Sequence, residues 1–161
     1  DQGRSVLVLT MHYNTWEWNA ILPQKLKHRI LFVYNPARNL EWDAFINRMR
    51  ERFGGELVST KKIVKTLLNY RNQQIPTFAW LSADQRPKAN TRFWTTFLNQ
   101  KTGFFPGPEA LARHTNQVVL YEHVEKIKRG HYQIRFDLIT ENPSGLPPDE
   151  VLSFISTRFK A

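Results

Sequence analysis

A histidine and a glutamate follow the first apolar run of the chain. His12 and Glu17 stand five positions apart, shortly after the run Val6-Leu7-Val8-Leu9. Enzymes of the α/β class hold catalytic groups at the carboxyl ends of their strands. A neutral imidazole accepts a proton near neutral pH, and a nearby carboxylate fixes its tautomer and stabilises the imidazolium that results. The two side chains are therefore a candidate general-base dyad.

The backbone around this pair decides whether the two side chains meet. Five residues along a continuous helix correspond to about 140° of rotation, so the side chains would diverge. A loop that runs into a helix lets them converge. Asn14 or Thr15 can serve as the N-cap, which leaves His12 in the loop and puts Glu17 in the first turn, where the helix dipole favours an anion. The alternative is a surface histidine and a capping glutamate that never meet.

The chain is long enough for one domain with a sizeable core. It has 161 residues, 41% of them hydrophobic, and no apolar run approaches the roughly 20 residues that a membrane-spanning helix needs. There is no cysteine, so disulfides and thiolate metal sites are excluded, and the other histidines are scattered without metal-ligand spacing. We expect a single domain over residues 1–161 that uses no metal and no cofactor. Because the chain starts at Asp1 and soon enters a strand, we also expect an excised or processed core from which any upstream signal or membrane anchor is missing.

The charge of the chain attracts anionic partners. The formal net charge is +9 and the pI is near 10.0, which draws anions from a distance but names no particular partner. Nucleic acid, an anionic membrane face, a phosphorylated lipid and an acidic carrier protein would all respond. No recognisable nucleic-acid motif accompanies the charge.

Strand signals and helix signals alternate along the chain, which predicts an α/β layer structure. We expect strands at about 5–10, 29–34 and 77–81, and an antiparallel hairpin from Val118–Tyr121 to Tyr132–Leu138 around Arg129-Gly130. We expect helices at about 15–27 (disturbed near Pro23), 39–52, 107–114 and 148–159, and a further amphipathic helix that turns Ile63, Val64, Leu67 and Leu68 toward the core. Residues 93–98 are apolar but ambiguous between helix and strand. No repeat or long linker marks a domain boundary.

Several weak motifs occur in one order over nearly the whole chain. They are Met11-His12-Tyr13-Asn14-Thr15-Trp16-Glu17-Trp18, Asn47-Arg48-Met49-Arg50, Ala83-Asp84-Gln85, Phe104-Phe105-Pro106-Gly107-Pro108-Glu109-Ala110-Leu111-Ala112-Arg113 and Arg129-Gly130-His131-Tyr132. In sequence and spacing the set resembles the lipid A late acyltransferases, a bacterial family of the lysophospholipid acyltransferase superfamily. The agreement of several motifs makes this resemblance far more specific than a lone His and Glu.

The resemblance implies a fold, an activity and a location. The fold would be the layered α/β fold of glycerolipid acyltransferases, with a mixed central sheet flanked by helices. The activity would be transfer of a fatty acyl chain from acyl carrier protein to a hydroxyl of a Kdo-bearing lipid A precursor, at the cytoplasmic face of the inner membrane. It also implies an anchor upstream and a tryptophan- and arginine-rich tail downstream, neither of which is in these 161 residues.

The resemblance also implies roles for individual residues. His12 and Glu17 match the family's catalytic histidine and its acidic partner, Arg48 its active-site arginine with Arg50 as the alternative, and Asp84 the aspartate of its strand-end motif. The family usually has glycine just before the histidine and again two positions after it, where this chain has Met11 and Asn14.

Other side chains are candidates for substrate contacts. Arg48 could stabilise a developing oxyanion or clamp a substrate phosphate, and Arg50 is a further candidate for substrate binding. Phe104 and Phe105 are either core or part of the apolar groove that a fatty chain needs. Gly107 begins a helix, and free N–H groups at a helix start can bind phosphate, although most bind only water. Without the resemblance, Asp84 reads as a turn cap. A different class of function stays open at this point, a non-catalytic basic module that binds nucleic acid or anionic lipid.

Overall fold

The computed structural model describes residues 3–84, 87 and 91–158. The predicted helix end at Phe159 and Gln85 of the strand-end motif lie outside these residues. The strands are β1 Val6–Thr10, β2 Arg29–Tyr34, β3 Glu56–Ser59, β4 Thr77–Ser82, β5 Trp94–Phe97, β6 Gln100–Gly103, β7 Val118–Lys128 and β8 His131–Thr140. The helices are α1 Leu40–Glu51, α2 Ile63–Asn72, α3 Gly107–Thr115 and α4 Glu150–Arg158, with 3-10 helices at Trp16–Gln24 and Pro143–Gly145.

Six strands form one mixed central sheet in the order β3-β2-β4-β1-β7-β8. The pairs β3/β2, β2/β4, β4/β1 and β1/β7 are parallel, and β7/β8 is the predicted antiparallel hairpin. Strands β5 and β6 form a separate two-stranded sheet. The prediction of a layered α/β fold with a mixed central sheet flanked by helices is confirmed.

Both faces of the central sheet are buried along β1, β2 and β4. Leu7 and Leu9 of β1 contact the larger core cluster, which includes Leu67 of α2, Leu111 of α3 and Leu152 of α4. Val8 points to the opposite face, into a smaller cluster with Leu22, Ile30, Phe32, Phe78 and Trp80. Successive residues of a strand face opposite sides, so an uninterrupted apolar strand is the pattern of a sheet covered on both sides.

Helix α1 forms where the apolar spacing predicts it, but it buries little. Asn39 caps it by accepting a hydrogen bond from the backbone N–H of Trp42 (3.0 Å). None of its residues is fully buried, and Trp42, Phe45 and Met49 stay 57%, 46% and 41% exposed. These three residues recur at helical spacing, so they form one open apolar stripe.

The structure corrects one predicted helix, adds an unpredicted strand and resolves one ambiguous segment. The segment after β1 is a 3-10 helix over Trp16–Gln24 rather than a helix over 15–27; Pro23 lies inside it and lacks the N–H that an α-helical ladder needs. Strand β3 was not predicted, because its four residues carry too short an apolar pattern. The ambiguous segment 93–98 contains strand β5. Among the described residues, each helix is too short or too polar to span a bilayer.

Candidate active site

His12 and Asp84 meet at the carboxyl edge of the central sheet. β1 and β4 are adjacent and parallel, and their last residues, Thr10 and Ser82, are register partners. Each strand is followed two residues later by one member of the pair. The backbone N–H of Ala83 donates a hydrogen bond to the carbonyl of Thr10 (2.9 Å), which joins the carboxyl ends of β1 and β4.

Two hydrogen bonds join His12 to Asp84. The ring Nδ1 lies 2.7 Å from Oδ1, and the backbone N–H of His12 donates to Oδ2 at 2.9 Å. Burial opposes ionisation of the carboxyl, but the bonds from His12 outweigh it, so the pKa of Asp84 lies below its usual value. An ionised Asp84 accepts the Nδ1 proton, which assigns the tautomer with Nε2 unprotonated. That nitrogen is then available as a proton acceptor.

The loop that carries His12 needs a left-handed residue. Asn14 has φ 52°, a conformation that asparagine tolerates better than other residues with a side chain. Its amide also donates to the carbonyl of Val124 in β7 (2.7 Å). Asn14 therefore supplies the positive φ that this loop requires and anchors the loop to β7.

Glu17 binds Arg50 rather than His12. Its carboxylate accepts two hydrogen bonds from Arg50, from Nη2 at 2.6 Å and from Nε at 3.0 Å. No hydrogen bond or ion pair joins Glu17 to His12 within the described part of the chain. The expectation that loop and helix would bring these two side chains together is corrected, because Glu17 points towards α1 while Asp84 occupies Nδ1.

The structure brings Arg50, the alternative, to the site instead of Arg48. Arg50 lines the same pocket as His12, whereas Arg48 is exposed and does not line it. Two residues along a helix correspond to about 200° of rotation, so the two guanidinium groups leave α1 on opposite sides. Spacing along the sequence could not choose between them before the facing side of α1 was known.

Trp16 lines the pocket and was not among the predicted site residues. Its ring meets the His12 ring edge-on at 4.6 Å, stacks on Trp80 at 5.5 Å, and carries the Arg50 guanidinium 5.3 Å from its centroid. A tryptophan within the His-to-Glu segment was the available signal, because an aromatic face attracts an arginine cation.

An apolar groove adjoins the His12 pocket. The pocket is small, about 150 Å³, and the groove is larger, about 490 Å³. They share Val33, Thr60 and Leu81 as lining residues. The rest of the groove is formed by α2 and α3 together with Phe105 and Gly107.

The three candidates at the start of α3 take different places. Phe104 is buried in the core, so the core interpretation holds for it, whereas Phe105 is 39% exposed and lines the groove. Gly107 lies against the Phe105 ring so closely that a Cβ there would come within 2.2 Å of it. The glycine is therefore needed for close packing, and its apolar surroundings do not favour a phosphate.

Among residues 3–84, 87 and 91–158, no three His, Asp or Glu side chains are grouped so that they could hold an ion.

Comparison with models of known protein families identifies the family of the chain. The family model described as bacterial lipid A biosynthesis acyltransferase matches residues 1–142. This match places the chain in the acyltransferase class of enzymes. The chain belongs to the bacterial lipid A biosynthesis acyltransferase family. The chain matched no curated protein.

Proposed function

We propose that this chain is a single catalytic core that transfers a fatty acyl group from acyl carrier protein to a hydroxyl of a lipid A precursor, with His12 as general base and Asp84 as its acidic partner. The observation that carries the proposal is the 2.7 Å contact between His12 Nδ1 and Asp84 Oδ1. It leaves Nε2 free to accept a proton and holds a carboxylate where it stabilises the imidazolium.

In the proposed reaction, His12 Nε2 takes the proton of the acceptor hydroxyl as its oxygen attacks the thioester carbonyl. The tetrahedral intermediate collapses, the C–S bond breaks, and the proton on His12 passes to the departing thiolate. The products are an ester and the free thiol of the carrier. The thioester is already activated and the chain has no cysteine, so direct transfer needs neither an acyl-enzyme nor a cofactor. Base assistance of this kind contributes about a hundredfold to ten-thousandfold in rate.

Arg50 is the cation we assign to the developing negative charge or to a phosphate of the substrate. Glu17 engages its Nε and Nη2, and Nη1 makes no hydrogen bond to any described residue. Glu17 thus fixes the guanidinium while one nitrogen stays available to an incoming oxygen. Backbone N–H groups after His12 are a second source of donors for the oxyanion, and one such donor is worth about 3 kcal/mol.

We propose the groove beside the pocket as the binding site of the acyl chain. Its lining is mainly aliphatic and aromatic, and it adjoins the pocket that contains His12. An acyl chain seated there would place its thioester carbonyl near the imidazole. We assign Phe105 and Gly107 to this groove, Phe104 to the packing behind it, and Arg48 to the solvent.

The proposal includes a donor and a location. The family's part in lipid A biosynthesis points to the membrane, and the net charge of +9 suits both an acidic carrier protein and the anionic lipid of the cytoplasmic face of the inner membrane. The acceptor would then be reached at the bilayer surface.

The test is acyl transfer from an acyl carrier protein thioester to a lipid A precursor. We expect His12→Ala and Asp84→Asn each to lower kcat by about a hundredfold to ten-thousandfold. His131→Ala, which removes an exposed histidine on the β7/β8 hairpin, is the matched control and should leave the rate unchanged.

Equal transfer by the parent chain and by His12→Ala would remove His12 from the chemistry. Absence of transfer combined with strong, salt-sensitive binding of DNA or RNA would favour the basic binding module instead.

A further inference from the structure

A buried carboxyl lies behind the pocket and takes no part in the proposed reaction. Glu122 of β7 is 2% exposed, and its Oε2 accepts hydrogen bonds from Trp80 Nε1 at 2.8 Å and from Asn19 Nδ2 at 3.2 Å. Asn19 and Trp80 are themselves 1% and 4% exposed. A carboxyl in such surroundings costs free energy unless hydrogen bonds compensate. The cost of burying this carboxyl therefore directs attention to the two side chains that it binds, Trp80 and Asn19.

Trp80 connects this carboxyl to the site. Its ring is nearly parallel to that of Trp16, with an interplanar angle of 10° and a centroid distance of 5.5 Å. Trp16 in turn contacts the His12 ring and lies under the Arg50 guanidinium. Trp16 therefore contacts both His12 and Arg50, two of the groups assigned to the reaction. Trp80 stacks on the Trp16 ring.

We propose that Glu122 is a positioning residue whose hydrogen bond to Trp80 Nε1 fixes the Trp80–Trp16 stack and thereby the placement of His12 and Arg50. Without this bond, packing alone would limit sliding or rotation of the Trp80 indole in its plane. A displacement of about 1 Å at a catalytic group is enough to reduce a rate about a hundredfold. The effect on rate rests on the proposed function, whereas the effect on ring placement does not.

The surroundings of Glu122 indicate which replacement preserves its role. Burial raises the pKa of Glu122, against the opposing hydrogen bonds of Thr10, Trp80 and Asn19. Asn19 Oδ1 is buried and, within the described residues, accepts no hydrogen bond. A glutamine at 122 retains an oxygen that accepts from the Trp80 N–H. Its amide N–H also adds a donor beside the Asn19 side chain, whose Oδ1 accepts no other hydrogen bond among the described residues. A leucine of similar size provides neither.

The experiment compares Glu122→Leu and Glu122→Gln with Glu109→Leu as a matched control. Glu109 is also buried (5% exposed), but it caps α4 by accepting from the backbone N–H groups of Asp149 and Leu152. We measure kcat and KM, the titration of the His12 ring by NMR, and the circular dichroism couplet that two stacked indoles produce.

Glu122→Leu is expected to lower kcat about tenfold to a hundredfold with little change in KM, to shift the His12 titration and to weaken the couplet. Glu122→Gln should keep kcat, the His12 titration and the couplet at their parent values. Glu109→Leu should lower the free energy of unfolding while leaving the titration and the couplet in place. Should Glu122→Leu fail to fold, Trp80→Phe, which keeps a ring but removes the N–H, is expected to shift the His12 titration in the same way.

A folded Glu122→Leu with the parent kcat, titration and couplet would overturn the proposal. So would a Glu122→Gln variant as impaired as Glu122→Leu, or a Trp80→Phe variant with an unshifted titration. If the parent chain transfers no acyl group, the proposed function fails, and the titration and the couplet still decide the positioning role because neither needs a substrate.

Discussion

Asp84 holds His12 at two points, the ring Nδ1 at 2.7 Å and the backbone N–H at 2.9 Å. The first contact sets the tautomer and rotation of the imidazole, and the second sets the path of the loop that carries it. Both depend on β1 and β4 being parallel neighbours whose ends coincide. A single carboxylate thus fixes the side chain and its backbone together.

The two arginines of α1 provide a matched comparison. Arg50→Lys should lower kcat/KM about tenfold to a hundredfold, because an ammonium cannot form the two-point contact with Glu17 and also present a third nitrogen to substrate. Arg48→Lys should have no effect, because Arg48 is exposed and outside the pocket. The measurement is steady-state acyl transfer by both variants, and an Arg48→Lys defect as large as that of Arg50→Lys would return the role to Arg48.

Filling the groove should change the preferred chain length. Ala110 lines it, so Ala110→Phe is expected to reduce kcat/KM for a long acyl donor by about tenfold to a hundredfold relative to a shorter one. Ala44→Phe places the same ring on the exposed surface of α1 and is the control. A series of acyl carrier protein thioesters differing in chain length measures the ratio, and an unchanged preference in Ala110→Phe would place the acyl chain elsewhere.

Asp84 and Glu122 should affect stability with opposite dependence on pH. The pKa of Asp84 is lowered from 3.8, so its contribution is present above that value and is lost as pH falls through the lowered pKa. The pKa of Glu122 is raised from 4.5, so its contribution is present below that value and is lost as pH rises through the raised pKa. Asp84→Asn should therefore flatten the acid limb of the unfolding free energy, and Glu122→Gln should gain relative to the parent as pH rises.

Denaturant unfolding at a series of pH values measures both effects. Parallel curves for the parent and Glu122→Gln would show that this carboxyl has the same pKa in the folded and unfolded chains, contrary to the expected shift.

The open stripe on α1 should contribute to binding of an anionic bilayer. Trp42 and Phe45 are 57% and 46% exposed, and burying such side chains in lipid is worth about 1.5–3 kcal/mol each. Trp42→Ser/Phe45→Ser should weaken binding to phosphatidylglycerol vesicles at least about tenfold. Ile127→Ser/Leu138→Ser, at two residues that are 56% and 51% exposed on the hairpin, should not. Flotation of the chain with vesicles measures the difference, and equal losses in the two double variants would contradict a specific role for α1.

Local patterns were sufficient for most elements. The uninterrupted apolar run of β1, the stripe of α1 and the alternation of β8 each express a period that the backbone imposes on side chains, 2 in strands and 3.6 in helices. Strand β3 was not predicted, because four residues are too few to show the two-residue alternation of a strand. The 3-10 helix was predicted as an ordinary helix because its apolar spacing is similar and only the hydrogen-bond pattern distinguishes it.

The sequence by itself determined that a histidine follows the first strand and that an aspartate follows β4, and its family resemblance predicted that an arginine on α1 lies with them. Only the tertiary structure decided that Asp84 rather than Glu17 is the partner of His12, and that Arg50 rather than Arg48 faces the pocket. The order of strands brings residues 72 positions apart within hydrogen-bond distance, and no local period encodes that order. The rotation of α1 about its axis is likewise set by what it packs against, which depends on the whole fold.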